Sequence, residues 1–285
     1  MVVKRRFLFG SLGALVATVA VGTGVVAVAH FAQRSDAAPR LNPVTEPLAS
    51  PGMIANADAT AAASPSGDVG VAGGPVSLRY TFDGGTARPI TDERGGNELR
   101  AYGENGGTLS LVPQDTGLAV EYPDRCLLPR EDDCPRAILE GVRDDNLNPG
   151  TRPLRYGASI RMDHDDLADG ANVFQKGYSV GGGSQFKLQV DHEQGHPSCV
   201  IAGPARIYRA EPRLDVADGA WHEVTCDRTE SDLVLAVDGV QRASVPVPSD
   251  LSIANAEPLR VGGKGANRGN DQFAGQIDNV FLTIG

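Results

Sequence analysis

The pattern of apolar and polar positions divides the chain into three stretches. Residues 7–29 are uncharged and almost continuously apolar. Residues 41–75 carry five prolines and show no apolar periodicity. From residue 76 onward, short apolar runs alternate with Gly, Asn, Asp and Pro, which is the pattern of β-strands and turns. No stretch of this last part repeats apolar residues at helical spacing, so we expect it to be all-β.

The first stretch has the features of an export leader. Lys4, Arg5 and Arg6 precede an apolar run that is long enough to span a membrane as a helix. Ala27-Val28-Ala29 offers a small-x-small cleavage site, so cleavage after Ala29 and retention as an anchor both stay open. We assign residues 1–40 to a signal peptide or signal-anchor helix. Either form places the rest outside the cytoplasm, secreted or anchored to the membrane only by this segment.

The second and third stretches form a linker and one domain. Residues 41–75 are rich in Pro, Ala, Gly and Ser and lack the apolar surface that ordering would require, so we predict a disordered linker. Residues 76–285 have a length that suits one all-β domain. Asp238-Gly239 separates two apolar runs and predicts a two-residue hairpin turn.

A dozen strands are predicted in the domain, which implies two packed antiparallel sheets because a single sheet would leave an apolar face in water. The predicted strands are residues 77–82, 108–112, 117–122, 154–162, 172–176, 186–190, 198–202, 221–226, 233–237, 241–245, 258–261 and 273–283.

Charge and cysteines narrow the setting of this domain. The formal net charge is −10, and an acidic protein repels phosphate backbones, so we exclude nucleic acid as a partner. Four cysteines behind an export leader predict two disulfides. Of the three pairings, we predict Cys126–Cys134, which closes a short acidic loop, and Cys199–Cys226, which joins two predicted strands.

One motif has the spacing of a zinc protease. His192-Glu193-Gln194-Gly195-His196 matches H-E-x-x-H, which binds zinc when a helix places both imidazoles on one face. Gly195 and Pro197 oppose a helix at this point. We therefore predict an exposed hairpin loop without a catalytic metal.

Three segments resemble the laminin-G-like jelly rolls of the concanavalin A-like lectin/glucanase superfamily. They are NVFQKG at 172–177, DGAWHEV at 218–224 with LVLAVDGV at 233–240, and LRVGG at 259–263 with FAGQIDNV at 273–280. Tyr80-Thr81-Phe82-Asp83 resembles the usual first strand. The resemblance implies a jelly-roll sandwich of two antiparallel sheets, and we expect Trp221 in its core.

The resemblance also bears on catalysis. Glycoside hydrolases of this superfamily typically carry two glutamates that flank an aspartate on one strand, so that the carboxylates share a cleft. No such run occurs here. We predict a non-catalytic extracellular module, secreted or displayed at a bacterial-type cell surface, that binds a glycan or a protein. The alternatives are a divergent glycoside hydrolase and a purely structural envelope domain.

Two sets of candidate site residues follow. Laminin-G-like sandwiches often bind calcium, which prefers oxygen ligands, and Asp83 and Asp278 fall on first and last strands that commonly neighbour each other. The acidic segment 163–169 is a second candidate for calcium. Sugar binding needs exposed aromatic rings beside polar groups, and Tyr102, Tyr156 and Tyr178 are the candidates.

Overall fold

The computed structural model describes residues 69–71, 73–86, 89–167, 170–180, 183–191 and 193–285. Within these ranges the regular structure consists of sixteen strands and three short 3-10 helices. The 3-10 helices are Glu131–Asp133, Asp145–Leu147 and His164–Asp166. The strands are β1 Val76–Tyr80, β2 Ile90–Thr91, β3 Glu98–Glu104, β4 Ser110–Gln114, β5 Gly117–Tyr122, β6 Arg136–Gly141, β7 Leu154–Asp163, β8 Ala171–Gly177, β9 Gln185–Val190, β10 Pro197–Ala202, β11 Ile207–Ala210, β12 Asp218–Arg228, β13 Asp232–Val237, β14 Val240–Pro246, β15 Leu259–Val261 and β16 Gly275–Ile284.

The strands form two antiparallel sheets of eight strands each. Sheet A has the order β14-β13-β12-β7-β16-β5-β4, and β1 also pairs with β16. Sheet B has the order β11-β10-β9-β8-β15-β6-β3-β2. The predicted all-β sandwich is therefore confirmed.

Aromatic rings fill the centre of the core between the sheets. Tyr156 of sheet A lies with its ring centre 5.9 Å from that of Phe174 and 5.2 Å from that of Phe186, both in sheet B. All three side chains are fully buried. The Tyr156 hydroxyl lies 3.2 Å from the backbone oxygens of Lys187 and Val200. Tyr156 is thus a core residue, and the prediction that its ring meets a ligand at the surface is wrong.

Both predicted disulfides are present. Cys199–Cys226 joins β10 of sheet B to β12 of sheet A across the core. Cys126–Cys134 closes a loop that contains the helix Glu131–Asp133. The first bridge fastens the two sheets together, whereas the second constrains a loop between β5 and β6.

Four strands were missed in the sequence, namely β2, β3, β6 and β11. β6 lies inside sheet B, between β15 and β3. Its outward positions Arg136, Ile138 and Glu140 mix charged with apolar residues, so the run shows no clear alternation. Arg136 is nevertheless buried, because its guanidinium donates to the backbone oxygen of Glu131.

The predicted turn at Asp238-Gly239 is confirmed, because both residues adopt positive φ angles, 53° and 72°, between β13 and β14. Such angles are what a two-residue hairpin turn requires.

The position of Trp221 differs from the prediction that it belongs to the core. It is half-buried and lies at a β-bulge between Asp218 and Trp221, so it does not belong to the buried core.

The predicted leader at 1–40 and most of the predicted linker lie outside the described residues. In the part that the structure does describe, no helix is long and apolar enough to cross a membrane. The last residues assigned to the linker contact the sandwich. The backbone N–H of Gly70 donates to Asp145 over 3.1 Å, and its oxygen accepts from Asn148 over 2.8 Å. Arg152 donates to the oxygen of Gly74 over 2.8 Å.

The cross-sheet disulfide gives a first testable prediction. Replacing Cys199 and Cys226 by Ala should lower the free energy of unfolding by about 3.5 kcal/mol, because the unfolded chain regains the entropy of a long loop. Urea denaturation monitored by circular dichroism measures this loss. The matched control is Cys126→Ala with Cys134→Ala, which opens a shorter loop and should cost about 2.5 kcal/mol. A larger loss for the control pair would contradict the assigned roles.

Candidate functional site

The outer face of sheet B carries rows of polar side chains. Asn172 lies opposite Gln189, which lies opposite Ser198. In the next row, Gln175 lies opposite Lys187. Residues that oppose each other on neighbouring strands share one face of a sheet. Because the alternate positions of these strands, such as Phe186 and Leu188, belong to the core, these polar side chains point away from it.

Several of these outward side chains are buried and lack partners. Asn172, Gln175 and Ser198 have no exposed surface. Both polar atoms of the Asn172 side chain, the side-chain oxygen of Gln175 and the hydroxyl of Ser198 have no hydrogen-bond partner among the described protein atoms. Buried polar groups in proteins are almost always paired, so these side chains depart from the usual pattern.

A cavity of about 480 Å³ opens on this face over β3, β6 and β15. Tyr102 and Tyr178 line it, together with Glu140, Arg260 and the loop 264–270. The Tyr102 side chain is half exposed. Tyr178 is held in place, because its hydroxyl donates to the backbone oxygen of Lys264 over 2.7 Å and Arg260 lies 5.4 Å from its ring centre. The structure therefore brings two of the three predicted tyrosines together.

A second cavity, of about 560 Å³, lies over β9 to β11. Its lining residues are Gly170, Gln189, Asp191, Glu193, Gln194, His196, Arg209, Glu211, Arg213 and Asp271. The Asp271 carboxylate connects the two cavities, because it lies 2.5 Å from the Lys264 amine of the first cavity and 3.9 Å from that of Lys187. Burial lowers the pKa of Lys187 to about 8.

The disulfide loop holds one wall of the first cavity. The Glu131 carboxylate accepts hydrogen bonds from the Arg268 guanidinium over 2.9 Å and from the backbone N–H of Gly269 over 2.6 Å. The hydrogen bond from Arg268 lowers the pKa of Glu131. This contact was missed in the sequence, because the disulfide loop lies outside the segments that resemble the family and its acidic run gives no indication of its partner.

The described part of the H-E-x-x-H motif forms a turn between β9 and β10, as predicted. His192 lies outside the described residues. The Asp191 carboxylate accepts hydrogen bonds from the backbone N–H groups of Glu193, Gln194 and His196. Gly195 adopts a φ of +68°, which favours glycine and ends any helical run. Burial alone would raise the pKa of Asp191, but these three donors outweigh it and lower the pKa.

Asp83 and Asp278, the candidate calcium ligands, lie close enough for their charges to interact. Asp278 sits in β16 at a bulge and accepts two hydrogen bonds from Asn279, at 2.6 and 2.7 Å. Burial, with a smaller contribution from the charge of Asp83, raises the pKa of Asp278 to about 6. Asp83 itself accepts from the backbone N–H of Leu118 over 2.8 Å.

The acidic segment 163–169 is arranged differently. Asp163 caps the helix His164–Asp166 by accepting from the backbone N–H of Asp165, and Asp166 accepts from the backbone N–H of Asp163. Asp169, the last carboxylate of the segment, lies outside the described residues. In the described ranges, no group of three or more His, Cys, Asp or Glu side chains is arranged to hold a metal ion.

Comparison with known structures supports the architecture. The chain resembles domain 4 of AbnA, a GH43 extracellular arabinanase from Geobacillus stearothermophilus in complex with arabinotriose, with a TM-score of 0.56 and 14% identity over 73% of this chain and 91% of that one. It also resembles the binding domain of Paraclostridial Mosquitocidal Protein 1, with a TM-score of 0.51 and 14% identity over 72% of this chain and 48% of that one. The binding domain of botulinum neurotoxin DC in complex with SialylT gives 0.51 and 12% identity, over 72% of this chain and 47% of that one.

These likenesses concern the fold, because the sequence identities are low. The chain spans about half the length of the two toxin binding domains. A search of curated proteins found no significant match. The model of the family Laminin_G_3, of the concanavalin A-like lectin/glucanases superfamily, matches residues 147–282. Through these residues, the β-sandwich of this chain is similar to the laminin-G-like domains of the concanavalin A-like lectin/glucanase superfamily.

Proposed function

We propose that this protein is a non-catalytic module that binds a glycan on the outer face of sheet B, outside the cytoplasm. The observation that carries the proposal is the first cavity, where the exposed ring of Tyr102 lies beside the polar groups of Glu140, Arg260 and the loop 264–270. A ligand rich in hydroxyl groups can donate to and accept from the polar groups that line this cavity.

The first cavity adds the features that a sugar ring requires. Its volume of about 480 Å³ lies in the range of small-molecule sites. Tyr102 offers an aromatic face that is 47% exposed, and Tyr178 is fixed beside it. Arg260 and Glu140 supply polar groups at the same wall. An apolar ring flanked by fixed polar side chains matches the two kinds of surface on a sugar.

The positions of the carboxyl groups favour binding over hydrolysis. A glycosidase needs a carboxyl group whose pKa is raised so that it can donate a proton, and a second carboxylate nearby. The carboxyl groups with raised pKa, Asp166 and Asp278, do not line either cavity. In the first cavity, Glu140 lies 2.5 Å from the Arg260 guanidinium, which leaves it committed to an ion pair.

Other features support a location outside the cytoplasm. The two disulfides require an oxidising compartment to form and persist. The bonds that Gly70 makes to Asp145 and Asn148 place the incoming chain just beyond the C-terminal end of β6. The disulfide loop and the loop 264–270 lie beyond the opposite end of β6.

Truncation of Tyr102 tests the proposed site. Tyr102→Ala should weaken glycan binding at least tenfold, because it removes the exposed ring, whereas Tyr102→Phe should retain most of the affinity. Isothermal titration calorimetry with a glycan selected on an array gives both affinities.

The control for this test is Val240→Ala, which removes an exposed apolar side chain from the edge strand β14 of sheet A. Its affinity should equal that of the unchanged protein. Equal affinities for Tyr102→Ala and Val240→Ala would rule out the first cavity as the binding site. Absence of any glycan ligand would favour a protein partner or a structural role.

We also propose that Asp83 and Asp278 hold a calcium ion that stabilises the junction of β16 with the loop after β1. The raised pKa of Asp278 supports this, because burial and the nearby charge of Asp83 disfavour the ionised carboxylate. A bound cation would supply positive charge in place of a proton. Backbone and water oxygens can complete the coordination of calcium.

The calcium proposal predicts a response to pH. Because the folded-state pKa of Asp278 is raised to about 6, its proton stabilises the fold fully below 3.8, and this stabilisation is lost as the pH rises through 6. Calcium competes with this proton. Millimolar calcium should therefore raise the free energy of unfolding by about 1–3 kcal/mol at pH 7.5 and by much less at pH 5.

Thermal melts in calcium and in EDTA measure this difference. Asp278→Asn should abolish both the calcium response and the pH dependence between 4 and 6 that belongs to Asp278. Asp250→Asn, which changes an exposed aspartate elsewhere, should leave both intact. A calcium response of equal size at both pH values, or one that survives Asp278→Asn, would refute the assignment.

A further inference from the structure

The cations of the first cavity are already neutralised by carboxylates of the protein. The Arg260 guanidinium lies 2.5 Å from Glu140 and 3.0 Å from Glu257. The Lys264 amine lies 2.5 Å from Asp271. On the loop 264–270, Arg268 lies 2.9 Å from Glu131. An anionic ligand would have to compete with each of these carboxylates.

The acidic residues that line the second cavity outnumber the basic ones. Four of its lining residues are acidic, namely Asp191, Glu193, Glu211 and Asp271. Arg209 and Arg213 are its only arginines or lysines among the lining residues that the structure describes, and Arg209 forms an ion pair with Glu211. A carboxylate or sulfate on a ligand would be repelled here, more strongly where the site is shielded from water.

Uncharged hydrogen-bonding side chains line both cavities, Asn267 and Asn270 in the first and Gln189 and Gln194 in the second. Gln175 lies opposite Arg260 of the first cavity, and Asn172 lies opposite Gln189 of the second. Ser198 lies on the far side of Gln189. The ion pair between Lys264 and Asp271 joins the walls of the two cavities.

The two cavities also lie along one direction across the sheet. Tyr102 stands on β3 and Arg209 on β11, and five strands separate them. At about 4.8 Å between neighbouring strands, the face extends roughly 29 Å. This is longer than a single sugar ring and suits a chain of several rings.

We propose that the outer face of sheet B binds an uncharged, linear glycan that spans both cavities, with Tyr102 at one end and Gln189 near the other. This inference rests on the proposed function and names its ligand class. Recognition depends on amide and hydroxyl groups and on aromatic contact, and not on attraction between opposite charges.

The test uses the full-length protein on an array that carries neutral oligosaccharides of increasing length together with uronate-containing and sialylated glycans of matched length. Neutral glycans should bind at least tenfold more tightly than acidic ones, and their affinity should rise with chain length. The affinity for the tightest neutral ligand should change less than twofold between 50 mM and 500 mM NaCl, because no ion pair with the ligand forms.

Variants separate the two cavities. Gln189→Ala should lower the affinity for the longest neutral ligand about tenfold and leave the affinity for the shortest bound ligand unchanged. Tyr102→Ala should lower the affinity for both ligands. Gln241→Ala changes an exposed glutamine on β14 of the other sheet and should affect neither ligand. Thermal melts establish that each variant is folded.

The outcomes test the ligand class, the span across both cavities and the proposed function separately. Binding of acidic glycans that equals or exceeds that of neutral ones overturns the ligand class and leaves glycan binding in place. Affinity that is independent of length, or an unaffected Gln189→Ala variant, overturns the span across both cavities. Failure to bind any glycan overturns the proposed function and this inference with it.

Discussion

The alternation of side chains along β8, β9 and β10 is the constraint on which the rest of the structure depends. One side of these strands contributes Phe174, Phe186 and other core residues, whose packing against Tyr156 of sheet A joins the two sheets. Because a strand places neighbouring residues on opposite faces, the same packing sends Gln175 and Lys187 to the outside. A shift of register by one residue would bury the polar set in the core and destroy both the core and the candidate site.

This arrangement separates stability from recognition. The core and the disulfide Cys199–Cys226 hold the sheets together, so the outer face of sheet B can keep buried polar atoms unpaired. Such atoms cost stability unless a ligand or solvent satisfies them. The loop 264–270, which forms a wall of the first cavity, is likewise held from outside the core. Its Arg268 and Gly269 donate to Glu131 in the loop that Cys126–Cys134 closes.

Much of the fold could be predicted from the sequence, because alternation and turn chemistry are local properties. The hairpin at Asp238-Gly239 and the twelve predicted strands follow from such properties. The disulfide pairings were instead chosen among three possibilities, from the short loop that one bridge closes and the predicted strands that the other joins. β6 could not be predicted in this way, because loop contacts bury its outward residues and hide the alternation. Trp221 was misplaced because a bulge, which depends on the pairing with β7, moves it out of the core.

The candidate site could be predicted only in part. The sequence prediction sought tyrosines outside the core, and Tyr102 and Tyr178 do line one cavity. Tyr156 is buried, and it could not be distinguished from them without knowing how β7 pairs with its neighbouring strands. The unpaired atoms of Asn172, Gln175 and Ser198 depend on three strands and a distant loop. Such an arrangement leaves no pattern in the order of residues.

The most direct test of the account is where a ligand contacts the protein. In an NMR titration of the isotopically labelled protein with its tightest glycan, the side-chain amide resonances of Asn172, Gln175 and Gln189 should shift, while that of Gln241 should stay in place. Shifts confined to other surfaces, such as the region around Asp83 and Asp278, would contradict the assignment of the outer face of sheet B as the binding surface.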